Sequence, residues 1–363
     1  AILNTWLFNA NTVDKALEVL MTRGHKVAGG DRLGKTIVFA KNQKHAEFIA
    51  ERFNINYPQY GGTFAKIITH SVNYASTLID AFARAEESPH IAVSVDMLDT
   101  GIDVPEVVNL LFFKVVRSKT KFWQMVGRGT RLRQELYGPG EDKQDFFIFD
   151  VCQNVEYFNA ELPGSEGSLG QSLAQRSFAV RTQLLAEART AGLDGDFVPA
   201  LQSGLVGQVA GLPRENFLVR PRLEWVEKYS KPASWGTLGT QDLTDLQTKL
   251  APLATLASAA DREEAKRFDL LMYQAQLASL TSAAAVEPYR KKIVEIASAL
   301  QDQPTIPAIA AQMVLIPSIL EGEEWGQVSP QWLELIRVRL RGLVHLIEKK
   351  RRKVVYTNFE DTL

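Results

Sequence analysis

Residues 91–113, IAVSVDMLDTGIDVPEVVNLLFF, contain two apolar runs on either side of a polar loop. The runs Ile91–Val95 and Val107–Phe113 are apolar at almost every position rather than at alternate ones, which is typical of strands covered on both faces. Three shorter runs of the same kind occur in this half of the chain: Thr36–Ala40, Ile67–Thr69 and Phe146–Val151. The pattern predicts a sheet buried between two layers of helices.

Segments long enough for crossover helices separate these runs, at Gln43–Phe53, Tyr74–Glu86 and Thr120–Arg133. Strand–helix–strand repetition favours a parallel α/β sheet, and such sheets hold ligands at the carboxyl ends of their strands. An amphipathic helix, Thr12–Arg23, precedes the sheet and ends at Gly24. We therefore expect an N-terminal helix and linker over residues 1–30 and an α/β domain over residues 31–155.

The second half of the chain has a different pattern. Residues 161–170, ELPGSEGSLG, are rich in glycine and serine and predict an exposed loop within a linker over residues 156–170. Beyond it, helix starts are expected at Asp261 with Glu264 and at Ser329-Pro330. Their predicted apolar stripes are Phe268, Leu271, Met272, Ala275 and Ala278 for the first, and Trp332, Leu335, Ile336, Leu343 and Ile347 for the second. Residues 171–363 are predicted to form a mostly α-helical domain.

Composition excludes several classes of protein. The formal net charge is -1, so any nucleic-acid surface must be a local patch. The single cysteine, Cys152, excludes a disulfide framework and a cysteine metal cluster, and it is predicted to be a buried core residue. No apolar run reaches the roughly 18 residues of a membrane helix, and nothing resembles a signal peptide. We expect a cytoplasmic protein without a metal site or a membrane partner.

The segment with the most chemistry is Gln124–Arg131, with the pattern Q-x-x-G-R-x-x-R. On one helix, Gln124, Arg128 and Arg131 would lie within an arc of about 60°. Two guanidinium groups held together suit a polyphosphate, because arginine is always charged and offers planar, forked donors. The residues alone leave open a second interpretation, a solvated helix face with ordinary surface arginines.

A second candidate segment is the loop Asp99–Pro105. Gly101 allows a tight backbone path, and Thr100 offers a hydroxyl donor for a phosphate oxygen. Asp103 offers an acceptor for a ribose hydroxyl or for an arginine. A simple turn closed by an aspartate side chain is the alternative that the residues leave open.

The two segments, in this order and about 20 residues apart, resemble motifs V and VI of superfamily 2 helicases and translocases. Thr36–Lys41 is similar to motif IV, the first strand of the second RecA-like domain in that family. The resemblance implies that Arg128 and Arg131, with Gln124 beside them, act at the γ-phosphate of ATP held by a first RecA-like domain. It further implies that Gly101 and Asp103 lie at the nucleotide cleft, and that the nucleic-acid backbone is contacted by Thr100, Thr69, His70 and Ser71.

Two other patterns are rejected. Gly29–Thr36 fits the P-loop pattern G-x-x-x-x-G-K-T, but a polar turn precedes it and an apolar run follows it, the reverse of the strand-then-helix context that a P-loop needs. Glu141–Lys143 has the E-x-K spacing found in some nuclease sites, which is common by chance. We therefore expect the ATP-binding half of the motor and the nuclease centre to lie outside this sequence.

More of the chain resembles the C-terminal part of a type I restriction enzyme R subunit. The resemblance rests on Asn11–Asp14, Gly30–Lys41, Lys121–Arg131, Lys266–Met272 and Val355–Asp361. It implies a complete subunit that pumps double-stranded DNA with ATP and Mg²⁺ and then cuts it. In that subunit a nuclease domain and a first RecA-like domain precede this region, and a helical domain docks on the methyltransferase (M) and specificity (S) subunits. The fragment alone is expected to be inactive and to hold no cofactor.

Two other functions stay open at this stage, a piece of another superfamily 2 DNA or RNA helicase and a non-enzymatic assembly module. The basic runs Arg290–Lys292 and Lys349–Lys353 fit either phosphate contacts or solvated helix ends. Trp225, Trp235 and Trp325 are predicted to pack in the core rather than to anchor a partner.

Overall fold

The computed structural model describes residues 7–99, 102–158, 171–193, 195–216, 218–257 and 261–347. The chain divides into two compact units, Ala1–Gly170 with Pro213–Pro221, and Gln171–Leu212 with Arg222–Leu363. The short segment Pro213–Pro221 was not foreseen from the sequence as part of the first unit. Within that segment, buried Asn216 donates from Nδ2 to Oε1 of Gln59 at 3.4 Å.

The first unit is built on a parallel sheet of five strands in the order β4-β5-β3-β6-β9. Its strands are β3 (Lys35–Ala40), β4 (Ala65–Ile68), β5 (Ile91–Ser94), β6 (Val107–Phe113) and β9 (Phe147–Asp150). Two antiparallel pairs flank the sheet, β1 (Lys26–Val27) with β2 (Arg32–Leu33) and β7 (Arg133–Gly138) with β8 (Glu141–Lys143). The five predicted apolar runs are therefore the five strands of the sheet.

Helices cover both faces of this sheet, as the unbroken apolar runs predict. The helices of this unit are α1 (Ala10–Arg23), α2 (Gln43–Asn56), α3 (Ala75–Phe82), α4 (Lys119–Val126) and α5 (Asn154–Tyr157). One face of the sheet packs against buried side chains of α1 and α2, such as Leu17 and Phe53. The other face packs against Phe82 of α3 and against Phe122 and Met125 of α4. Every position of β3 and of β6 is buried.

Two predicted crossover helices are shorter than expected. The first, α3, begins after Tyr74, which has a left-handed φ of 69°. The second, α4, ends at Val126, where the amides of Arg128 and Gly129 donate to carbonyls three residues back. Glycine is a weak helix former, so Gly127 and Gly129 favour this exit. The prediction of one helix over Thr120–Arg133 is therefore wrong after Val126, and Arg133 is already the first residue of strand β7.

The second unit is helical over its described residues, as predicted. Its helices are α6 (Leu173–Thr190), α7 (Phe197–Ala210), α8 (Leu223–Tyr229), α9 (Thr240–Asp245), α10 (Glu263–Ser279), α11 (Ala283–Gln301), α12 (Pro307–Ala310), α13 (Leu315–Glu321) and α14 (Pro330–Leu340). Short 3₁₀ turns lie at Arg220–Arg222, Pro232–Trp235, Ala251–Ala257, Glu323–Gln327 and Val344–Leu346, and a π-helical turn at Leu246–Leu250. The stripe predicted for α10 packs in the core, with Ala278 partly buried at its end.

The details of two predicted helix starts differ. Asp261 does not cap α10, which begins at Glu263, and its carboxylate instead lies 2.8 Å from Nη2 of Arg341. Ser329 does cap α14, since its hydroxyl accepts from the Trp332 amide at 3.2 Å. Of the stripe predicted for α14 and the residues after it, Ile336 and Ile347 are buried in the core and Trp332 and Leu343 pack against it, so only Leu335 is wrong. Leu335 is 45% exposed, and the residues that the helix buries in the core are Leu333, Ile336 and Leu340.

The two rejected motifs have structural roles. Lys35 lies at the start of β3, and its buried Nζ donates to the carbonyls of Glu87 at 2.5 Å and Pro89 at 2.8 Å. Lys143 is buried as well and donates to the carbonyls of Pro105 and Val107. Each ammonium group is thus held by carbonyl oxygens of the first unit, so neither lysine offers the free charge of a P-loop or a nuclease site.

Of the predicted core residues, Trp235 and Trp325 are buried, and Trp225 is half-buried beneath the Lys249 ammonium at 5.2 Å. Cys152 is only partly buried, and desolvation raises the pKa of its thiol to about 12. The predicted loop Glu161–Gly170 and the basic tail Lys349–Lys353 lie outside the described residues. No described helix is both long and apolar enough to cross a membrane.

His45 on α2 makes the stability of the first unit sensitive to acid. Its ring is fully buried, the Lys41 amide donates to Nδ1 at 3.2 Å, and Nε2 lies 3.0 Å from the carbonyl of Leu7. Because Nδ1 is an acceptor, the ring is neutral, and desolvation lowers its pKa to about 4. Between about pH 6.5 and pH 4, His45 therefore binds a proton in the unfolded chain but not in the folded chain. The free energy of unfolding falls as the pH drops through this range.

We expect His45 to contribute a loss of roughly 2 kcal/mol in the free energy of unfolding between pH 7 and pH 5. The measurement is denaturant-dependent amide exchange in β3 at both pH values, comparing wild type with His45→Gln. The exposed His70 provides the control variant, His70→Gln. Equal pH dependence in wild type and His45→Gln would contradict the assignment.

Candidate nucleotide and nucleic-acid site

A pocket of about 210 Å³ lies where the loop before β6 meets the turn after α4. Its lining residues are Ile102, Asp103, Val104, Gly127, Arg128, Thr130 and Arg131. The loop residues directly precede β6, so the pocket lies at the amino edge of the sheet. The sequence pattern predicts a ligand site at the carboxyl edge. That expectation is wrong for this pocket, because α4 carries the chain back to the amino edge before the two arginines occur.

The two arginines reach this pocket from a turn rather than from a helix face. Arg128 donates from Nη1 to the carbonyl of Ile102 and from Nε to the carbonyl of Gln124, the latter at 3.2 Å. Arg131 Nε lies 3.0 Å from Oδ1 of Asp103, with both side chains 64% exposed. The predicted arc of Gln124, Arg128 and Arg131 on one helix is therefore wrong, yet both guanidinium groups line one pocket. Gln124 is exposed on α4 and does not line it.

The turn that carries the arginines is fixed by close packing at Gly129. A Cβ atom at this position would lie 2.2 Å from the ring of Phe146, far inside van der Waals contact. Only glycine allows this approach without displacing the ring. The residue that approaches this glycine, Phe146, lies just before β9.

The sequence analysis missed a further ion pair beside the pocket. Arg133 Nε lies 2.9 Å from Oε1 of Glu106, and the Glu106 side chain is only 11% exposed. This pair joins the first residue of β7 to the residue before β6. The only sign of this pair in the sequence is its position. Arg133 lies two residues after the segment Gln124–Arg131, and Glu106 directly follows the loop Asp99–Pro105.

Three of the residues predicted to contact nucleic acid, Thr69, His70 and Ser71, lie at the opposite, carboxyl edge. Thr69, directly after β4, is buried and donates its hydroxyl to Oε1 of Gln43 at 2.8 Å, so that hydroxyl does not face solvent. His70 and Ser71 follow it on the exposed surface. Thr100 and Gly101 lie outside the described residues. Asp103, the remaining residue of that loop in the prediction, lies at the pocket.

A charged cluster that the sequence analysis did not identify occupies the carboxyl edge between β5 and β6. Lys114 Nζ lies 3.0 Å from Oδ1 of Asp96 and 2.9 Å from Oδ2 of Asp99. Lys121 Nζ lies 2.6 Å and 3.1 Å from the same two oxygens. Hydrogen bonds from Lys121 and Lys114 hold the pKa of Asp96 well below its usual range. The hydrogen bond to Asp96 in turn raises the pKa of Lys121.

The first unit is similar to known proteins. The helicase conserved C-terminal domain family matches residues 15–133. The endonuclease subunit of type I restriction enzyme EcoKI from Escherichia coli (strain K12) is 36% identical over 129 residues, 33% of this chain and 10% of that protein. The EcoAI endonuclease subunit from Escherichia coli is 31% identical over 133 residues, 36% of this chain and 16% of that protein. The matches therefore span a small fraction of these relatives.

Among solved structures, one similar chain is a fragment from Vibrio vulnificus YJ016 assigned to the HsdR subunit of a type I restriction enzyme. It is 28% identical with a TM-score of 0.37, and the match covers 46% of this chain and 31% of that one.

Proposed function

We propose that this chain, which belongs to the type I restriction enzyme R subunits and carries their helicase conserved C-terminal domain, completes the ATP site of a DNA-translocating motor. In this proposal Arg128 and Arg131 reach the γ-phosphate of ATP bound by a first RecA-like domain. The observation that supports it most is the pocket at the amino edge, where both guanidinium groups are held by the loop Ile102–Val104.

The contacts of the two arginines suit different tasks. Arg128 is anchored to two backbone carbonyls, which fixes its direction before a nucleotide arrives. Arg131 is paired with Asp103 on the surface, and an exposed pair of this kind is worth only about 0–1 kcal/mol. Its guanidinium group therefore leaves Asp103 at little cost when a phosphate approaches. Asp103 is then free to accept a hydrogen bond from the ribose.

ATP and Mg²⁺ would be held mainly by the first RecA-like domain, and this chain would supply charge to the phosphoryl transfer. Two preset guanidinium groups stabilise the negative charge that spreads over the transferring phosphoryl oxygens. The buried Lys35 is engaged by two carbonyls and supports no nucleotide site within this chain.

For the second unit we propose docking to the M and S subunits. Helix α14 presents Leu335 and Val338 to solvent, 45% and 55% exposed, one helical turn apart. Exposed apolar side chains at this spacing favour contact with another protein surface. The partner of the motor itself, double-stranded DNA, is proposed for the carboxyl edge of the sheet.

The experiment that tests the motor function is ATP hydrolysis, with and without duplex DNA, by this 363-residue chain and by the full-length R subunit that carries it. We expect no turnover by the chain alone and DNA-stimulated turnover by the full-length subunit. Turnover by the chain alone that disappears in Lys35→Ala would contradict the proposal, because Gly29–Thr36 would then be a working P-loop. A full-length subunit without DNA-stimulated turnover would contradict it as well.

A further inference from the structure

We propose that Lys121 is a positioning residue that connects the DNA edge of the sheet to the turn carrying Arg128 and Arg131. The inference rests on the proposed function, since it concerns how DNA binding at one edge reaches the ATP site at the other. It assigns Lys121 a role in coupling, without contact to the reacting atoms.

Two neighbouring segments cross the sheet from its carboxyl edge to its amino edge. The first comprises residues 95–99, which follow β5, and residues 102–106, which precede β6. The second is α4 with the turn that follows it, residues 119–133. At the carboxyl edge they are joined by Lys121, whose Nζ lies 2.6 Å from Asp96 and 3.1 Å from Asp99. At the amino edge they are joined by Arg131–Asp103 and Arg133–Glu106.

The predicted DNA contact lies in the first of these segments. Thr100, the threonine that the family resemblance places at the nucleic-acid backbone, directly follows Asp99 in the chain. The carboxylate of Asp99 accepts from both lysines through Oδ2, while its buried Oδ1 has no hydrogen-bond partner among the described residues. Asp99 therefore depends on Lys114 and Lys121 for compensation of its charge.

The four charges of the cluster divide into a buried pair and an exposed pair. The side chains of Lys114 and Asp99 are 10% and 2% exposed, and a buried pair of this kind is costly to break. Lys121 and Asp96 are 39% and 59% exposed, and exposed pairs contribute little. The Lys121–Asp96 contact is therefore the one that an incoming DNA phosphate displaces first.

The backbone conformation of Asp96 further weakens the exposed Lys121–Asp96 pair relative to the buried Lys114–Asp99 pair. Asp96 has a φ of 59°, in the left-handed region that costs a non-glycine residue free energy. The ammonium groups of Lys114 and Lys121 hold its carboxylate in this position. When a phosphate binds Lys121, the loop after β5 loses its contact with α4 and keeps its contact with Lys114, which directly follows β6. The helix that delivers Arg128 then responds to DNA through a contact at its own first turn.

The test compares Lys121→Met with Lys119→Met. Lys119 lies two residues earlier on the same helix, and its side chain is exposed. In the full-length R subunit, the ratio of DNA-stimulated to DNA-free ATP hydrolysis should fall about tenfold in Lys121→Met, and remain near wild type in Lys119→Met. Lys121→Arg should restore the ratio, since it keeps the charge. The losses from Asp96→Asn and Lys121→Met should be less than additive in the double variant, because both changes remove the Lys121–Asp96 contact.

A second measurement uses the 363-residue chain and does not depend on turnover. Amide exchange at residues 127–131 should be faster in Lys121→Met than in Lys119→Met, because the tie at the start of α4 is lost. Equal exchange in the two variants would overturn the inference. Faster exchange with an unchanged DNA-stimulation ratio would also overturn it, leaving Lys121 with a purely structural role. A wild-type subunit without DNA-stimulated turnover would instead overturn the proposed function. The exchange measurement alone would then decide whether the contact of Lys121 with Asp96 and Asp99 stabilises the turn at residues 127–131.

Discussion

Arg128→Ala should lower ATP turnover by the full-length R subunit about a thousandfold or more, the range measured for arginines that reach a transferring γ-phosphate. Arg128 is anchored to the carbonyls of Gln124 and Ile102, so its guanidinium group is directed before ATP arrives. Loss of a preset charge at the transition state lowers kcat more than it weakens ATP binding. The measurement is steady-state kcat and KM for ATP at saturating duplex DNA.

Two comparisons separate a catalytic effect from a structural one. Arg128→Lys keeps a charge but lacks the fork that donates to two acceptors, so it should recover only part of the rate. Arg84→Ala removes an exposed arginine of the same unit, 65% exposed and paired with Glu87, and should leave the rate near wild type. A loss below about tenfold in Arg128→Ala, with ATP binding intact, would rule out direct action on the γ-phosphate.

Asp269→Asn should cause a large loss of stability in the second unit. The Asp269 carboxylate, on α10, accepts from Arg337 Nη1 at 2.7 Å and from Arg341 Nη2 at 2.8 Å, both reaching from α14 or its end. The guanidinium groups of Arg181 and Arg337 lie 5.4 Å and 5.0 Å from the centroid of the Tyr273 ring. Two partly buried guanidinium groups, those of Arg337 and Arg341, thus share one 9%-exposed carboxylate.

Removal of that charge leaves these arginines without their shared anion, and breaking a buried ion pair costs about 3–5 kcal/mol. The measurement is denaturant-dependent amide exchange in α10 and α14. Glu287→Gln is the matched control, because Glu287 pairs with Arg290 at 3.5 Å on the exposed surface, and should cost at most about 1 kcal/mol. A loss in Asp269→Asn as small as in the control would show that neighbouring carboxylates such as Glu334 compensate.

The sheet was predictable because its strands differ from everything around them. Runs such as Val107–Phe113 are too continuous for a surface strand and too short for a typical helix, so their pattern has few other interpretations. The helical stripe of α14 was harder, since Leu333 and Leu335 are both apolar and only packing decides which of them is buried. The periodicity of apolar residues predicts that a helix has a buried stripe more reliably than it predicts which residues belong to that stripe.

The site was predictable in residue type but not in geometry. Arg128 and Arg131 were identified from their spacing, but the end of α4 at Val126 depends on how Phe146 fits against Gly129, a contact between residues 17 positions apart. The strand pair β7–β8 carried a signal that the sequence analysis passed over, Gly138-Pro139-Gly140 between two polar stretches. The lysine–aspartate cluster had no sequence signal, because its members are brought together only by the strand order of the sheet.

The return of Pro213–Pro221 to the first unit limits how the two halves of this chain can be separated. Asn216 and Val219 are both fully buried there, so a protein cut at residue 170 would lack part of its own interior surface. The polypeptide passes between the units three times, after Gly170, Leu212 and Pro221. Recombination at the glycine-rich segment Glu161–Gly170 would therefore transfer the first unit without its segment Pro213–Pro221. During evolution, the motor and helical halves of such a chain are expected to be inherited together.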